Sequence, residues 1–67
     1  MLTANQKQYL NWFCLTESAS LPEYIILMSK MDDAYGDFTH KEQTEVESWI
    51  DRYFRGLETE DISDLGY

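Results

Sequence analysis

The sequence predicts an all-α protein, a small three-helix bundle with an acidic C-terminal tail. Three observations predict it. Capping boxes stand at Thr3/Gln6, Ser20/Glu23 and Thr39/Glu42, each a side chain that accepts from a free helical N–H followed three residues later by one that reaches back. Behind each box apolar residues recur at helical rather than strand spacing. Gly36 and Gly56 follow the second and third apolar stretches, where a chain leaving a helix favours the left-handed conformation.

The first helix is expected from Ala4 to Thr16, a stretch without Gly or Pro. Tyr9, Leu10, Phe13 and Cys14 fall on one side of it, and Trp12 and Leu15 widen the apolar arc toward a second contact face. The turn Thr16-Glu17-Ser18-Ala19-Ser20 offers polar side chains that bond to nearby backbone, so the helix ends there and an antiparallel hairpin follows. The second helix is expected from Leu21 to Ala34, with Pro22 in the first turn, where a missing N–H costs nothing. Tyr24, Leu27, Met28 and Met31 form its stripe, and Ile25 and Ile26 make that stripe wider than one neighbour would cover. Asp32 and Asp33 in its last turn oppose the helix dipole, which invites either a functional role or a solvated end.

The third helix, His40 to Arg55, has the clearest pattern, with Val46, Trp49, Ile50, Tyr53 and Phe54 on one face and an Asp51/Arg55 pair at i, i+4. The core is expected to comprise Leu10, Phe13, Ile25, Met28, Trp49, Ile50, Tyr53 and Phe54. Residues 1–56 thus form a single helical domain. Residues 57–67 carry Glu58, Glu60, Asp61 and Asp64 without a basic residue, and Ile62 and Leu65 are too few to build a core, so this segment reads as a tail.

The chain is 67 residues long, so its core leaves a thin stability margin and little room for a substrate cleft. Its 13 acidic residues against 5 basic ones give a net charge of −8, which repels nucleic acid and anionic membrane and favours basic protein surfaces. Cys14 is the single cysteine, excluding an internal disulfide and fitting a reducing compartment. With no span-length apolar run and no basic-then-apolar N-terminus, a cytoplasmic protein is expected. Catalysis lacks a site. His40 stands alone at a helix start, and no phosphate loop, zinc spacing or triad can be assembled, so a non-enzyme without a cofactor is expected. The stretch around Gly36 imitates an EF-hand loop, with Asp33, Phe38 and Glu42 in register, but Met31 and Tyr35 occupy ligand positions and leave too few oxygens for calcium.

Glu17-Ser18, then Leu21-Pro22-Glu23 and an apolar helix, resembles the phage-encoded uracil-DNA glycosylase inhibitor family, whose members carry a Glu-Ser-Ile element shortly before a Leu-Pro-Glu helix start. Ala19 stands where that family has isoleucine, and the likeness concerns this element alone, since those inhibitors contain a sheet. What the resemblance implies is a DNA mimic. Glu17 and Ser18 would take the place of phosphates in the enzyme's cleft, Glu23 would assist, and a neighbouring apolar pocket would hold the side chain that the enzyme inserts into DNA. Tyr24, Leu27, Met28 and Met31 are the expected wall of that pocket, the methionines because their soft side chains adapt to an inserted group. Asp32, Asp33 and Asp37 add separated negative charges beyond it. The expected function is a small inhibitor that occludes the DNA-binding site of a host DNA-processing enzyme, uracil-DNA glycosylase first. Its alternatives are a helical protein-interaction module, an inhibitor of another nucleic-acid enzyme including the anti-CRISPR type, and a degenerate EF-hand-like module.

Overall fold

The structure, a computed structural model, describes residues 1–62. It contains three α-helices and, among the described residues, no strand: α1 Ala4–Thr16, α2 Leu21–Asp37 and α3 His40–Phe54. The architecture is the expected three-helix bundle. Tyr9 of α1 meets Tyr35 near the end of α2, whereas Leu15 shares a hollow with Ile26 near its start, so α1 and α2 run antiparallel. Gln6 bonds to Glu42 and Phe13 packs edge-on to Phe54, so α3 runs parallel to α1. Helix α1 packs closely on α2 and more sparingly on α3, while α2 meets α3 chiefly at its end, where the Tyr35 hydroxyl donates to Glu47 and the Tyr35 carbonyl accepts from Gln43.

Two of the three capping boxes form as the spacing predicts. The hydroxyls of Thr3 and Thr39 accept from the amides of Gln6 and Glu42, each at 3.2 Å, and those side chains accept in return from the threonine amides at 2.7 and 2.9 Å. The third box does not close. The Ser20 hydroxyl donates to the Glu23 carboxylate at 2.9 Å, and its oxygen accepts no bond from the helix backbone.

Helix ends show the same mixture. Gly56, at φ 72, is the left-handed residue expected after α3, and Gly56 N–H to Tyr53 carbonyl with Leu57 N–H to Arg52 carbonyl completes a Schellman motif. Gly36 is instead helical, and α2 runs three residues past the expected Ala34 to Asp37. Its end is set by Phe38, which is buried with ring centroids 5.7 Å from Tyr9 and 6.4 Å from Tyr35, so aromatic packing just beyond the helix overrides the glycine signal.

The core comprises Leu10, Phe38, Val46, Trp49 and Ile62, with Phe13, Ile50, Tyr9 and Tyr35 packed around it. Three residues expected inside lie outside, Ile25 at 61% exposure, Phe54 at 71% and Tyr53 at the margin, and a fourth, Met28, is half-buried and not part of the core. Ile25 lies near the start of α2, far from the Tyr35 end where α2 meets α3, so nothing from α3 covers it. Phe54 is the last residue of α3 and covers only the edge of Phe13.

Ile62 corrects the reading of the tail. It is buried, and the returning segment is held by Trp49 Nε1–H donating to the Glu60 carbonyl at 3.0 Å and by the Leu2 amide donating to the Glu60 carboxylate at 3.1 Å. One apolar residue suffices because it completes a core begun by Leu10 and Trp49 rather than founding another. Asp64, Leu65 and Tyr67 lie outside the described residues. Gln6 is fully buried, accepting from Thr3 and donating to the Glu42 carbonyl at 3.2 Å and the Glu45 carboxylate at 3.1 Å, so this interior amide has no unmet bond.

Candidate partner-binding site

Helix α1 has two working faces. Gln6, Leu10 and Phe13 turn toward α3 and the core, while Asn5, Gln8, Trp12 and Leu15 form a second stripe that borders α2 on the other side. On α2 the facing stripe is Glu23, Ile26, Lys30 and Asp37. Between the two stripes runs a groove with a hollow at each end. Near the α1–α2 turn, Leu15, Ala19, Ile26 and Leu27 form the apolar wall of a hollow of about 300 Å³, with Ser18 and Glu23 contributing its polar atoms. Toward the far end, Trp12 and Phe38 share a hollow of about 220 Å³ with Asn5, Gln8, Asp37 and Glu42. The Lys30 ammonium sits 5.8 Å from the Trp12 ring centroid, a cation–π contact partway along α2 between the two. Glu23 and Asp37 are fourteen residues apart on one helix, so the groove is roughly 20 Å long at 1.5 Å per residue.

The residues singled out from the sequence divide among three places. Ser18, Glu23 and Leu27 come together at the apolar hollow. Glu17 leaves them: it is hydrogen-bonded to the Tyr53 hydroxyl on α3, and that bond, followed by the carboxylate's charge, pushes Tyr53 above the ordinary tyrosine value. Met31 is buried and Met28 half-buried, so Met31 belongs to the interior rather than to an open pocket wall. Tyr24 is partly exposed outside the hollow. Asp37 lines the second hollow, Asp33 precedes it by one turn, and Asp32 lies around the helix near Tyr9, whose ionisation is raised by burial first and by the charges of Asp32 and Glu47 after it. The hollow at Ser18 is walled by Leu15, Ala19 and Ile26 in place of Tyr24, Met28 and Met31. Leu15 is the residue of that wall that belongs to α1, and its signal is the apolar arc of Trp12 and Leu15, which the spacing assigns to a second contact face.

Burial, and then the nearby Glu17 charge, raise the Cys14 thiol, which keeps it protonated and a poor nucleophile. Tyr35 is hydrogen-bonded to Glu47, which raises its ionisation in turn. The EF-hand-like reading fails on geometry. An EF-hand needs a loop of about twelve residues, whereas α2 continues through Gly36 to Asp37, only Phe38 and Thr39 separate it from α3, and Glu42 is engaged in the Thr39 cap. Among the described residues no group of three or more His, Cys, Asp or Glu is placed to hold a metal, and no helix is long and apolar enough to cross a membrane. The chain matches no family model, no curated protein and no solved structure.

Proposed function

We propose that the protein is a non-enzymatic inhibitor that sets its α1–α2 groove against the DNA-binding surface of a DNA-processing enzyme, with uracil-DNA glycosylase the first candidate. The observation that carries this reading is the apolar hollow beside Ser18 and Glu23, on a protein of net charge −8. A DNA-binding surface is basic, so the overall charge steers the inhibitor to it. The hollow takes an apolar side chain that such an enzyme presents toward DNA, and Glu23, Asp33 and Asp37 lie along the flanking helix opposite its lysines and arginines. Glu17 contributes from the neighbouring side as a second carboxylate tied to Tyr53.

The test is uracil excision from a single-stranded oligonucleotide by a bacterial uracil-DNA glycosylase, with the protein titrated in and an unrelated acidic protein as control. Full inhibition near one inhibitor per enzyme, weakened by added salt and by Glu23→Ala more than by Glu58→Ala, is the expected result. Activity unaffected at large excess removes the proposal.

A second reading is favoured by a different observation. Leu21, Ile25, Phe54 and Leu57 are exposed apolar side chains at the end of the bundle where α2 begins and α3 ends. A helical interaction module would bind through them, and its binding would survive high salt, in contrast to the inhibitor's.

A further inference from the structure

The second hollow of the groove has a composition that selects its ligand. We infer that it receives a cationic side chain of the partner, an arginine guanidinium before a lysine ammonium. This rests on the groove being the docking face, and it adds the class of group bound there. The walls are built from the acidic residues Asp37 and Glu42, the amide side chains of Asn5 and Gln8, and the aromatic Trp12 and Phe38, with no cation among the described lining residues. Carboxylate and amide oxygens accept the several N–H donors of a guanidinium, and a flat aromatic wall stacks against its plane. The Glu42 carboxylate already accepts from the Thr39 amide, which holds it in place and leaves lone pairs for a second donor. The Lys30 ammonium already lies 5.8 Å from the Trp12 ring centroid, the placement a cation takes against such a ring. A volume of about 220 Å³ admits the guanidinium and the last part of its stem. An anion meets two carboxylates there, and a second copy of this chain brings a further −8 of charge, so neither is the occupant.

The probe is arginine blocked at both backbone ends, compared with equally blocked citrulline, which has nearly the same shape and no charge. Each is titrated into the full chain while the Trp12 indole N–H and the Asn5 and Gln8 side-chain amides are followed by NMR. Arginine should shift all three saturably, with the weak affinity of a single side chain, and citrulline should not. Asp37→Asn should weaken arginine binding about tenfold, the scale of one charge-assisted hydrogen bond. Asp33→Asn, on the same helix one turn away, should change it by less than half as much, and unchanged melting of both variants certifies the fold. Equal responses to arginine and citrulline, or equal losses in the two variants, would overturn the inference. Enzyme inhibition without arginine binding would overturn it and leave the proposed function standing; arginine binding without inhibition would establish the hollow and discard the enzyme as target.

Discussion

Ile62→Ala removes an apolar side chain from the part of the core that the segment after α3 closes. A solvated tail would absorb it without effect, whereas the structure buries Ile62 at 8% exposure against the Leu10/Trp49 core. Truncating a buried isoleucine to alanine costs about 2–5 kcal/mol, and the lower end applies because Ile62 sits in a segment outside the helices, which can relax into the space. About 2 kcal/mol is a large part of the total, which at 0.05–0.15 kcal/mol per residue is roughly 3–10 kcal/mol for 67 residues. Unfolding entropy of about 2.1 cal/mol/K per residue gives about 0.14 kcal/mol/K for the chain, so Tm should fall by about 14 °C. Leu57→Ala is the control, since Leu57 is 53% exposed in the same segment, and a surface change of about 0.5 kcal/mol moves Tm by only about 4 °C. Thermal melts followed by helical circular dichroism and by tryptophan emission read both, the latter reporting Trp49 through its bond to the Glu60 carbonyl. Equal shifts of the two variants would refute the packed return of the chain.

Thr39→Ala should lower stability by about 1 kcal/mol, because it opens a complete capping box, and Ser20→Ala by only a few tenths, since Ser20 makes no side-chain cap; denaturant titrations separate the two. Tyr53 ionises above its ordinary value of 10.0 in the folded protein, so the folded state favours the neutral phenol. The stabilisation from its bond to Glu17 is fully present below the unfolded value and is lost as pH rises through the folded one. Glu17→Gln should return the Tyr53 titration, read by tyrosinate absorbance, toward 10.0, and an unmoved titration would remove the Glu17–Tyr53 contact. If the proposed function is right, its inhibition constant should rise with ionic strength, and a constant flat from low to high salt would favour docking through Leu21, Ile25 and Phe54 instead.

Much of the fold is written locally. The Thr3 and Thr39 boxes and the Gly56 exit depend on residues within one turn, so their spacing was enough to locate them. Gly36 misled because a glycine is only permissive: it allows a helix to end, while Phe38 packing on Tyr9 and Tyr35 decides where. Ile25 and Phe54 carry the same pattern as true core residues. Their exposure follows from where α2 and α3 meet, which no single helix encodes. Ile62 could not be recognised for the converse reason, its burial being supplied by α1 and α3. The candidate site divides similarly. Ser18, Glu23 and Leu27 were legible as neighbours in a turn and first helical turns, but Leu15 joins them, and Trp12 the other hollow, only once two antiparallel helices set their second faces side by side.

The most direct measurement of the groove as docking face is the uracil-excision titration run with the wild-type chain and with Ala19→Trp, whose bulk fills the hollow between Leu15 and Ile26 from a half-buried position in the interhelical turn. Stoichiometric inhibition by the wild type, and its loss in Ala19→Trp at unchanged melting temperature, is the expected result. Equal inhibition by the two proteins, or none by the wild type at large excess, would contradict it.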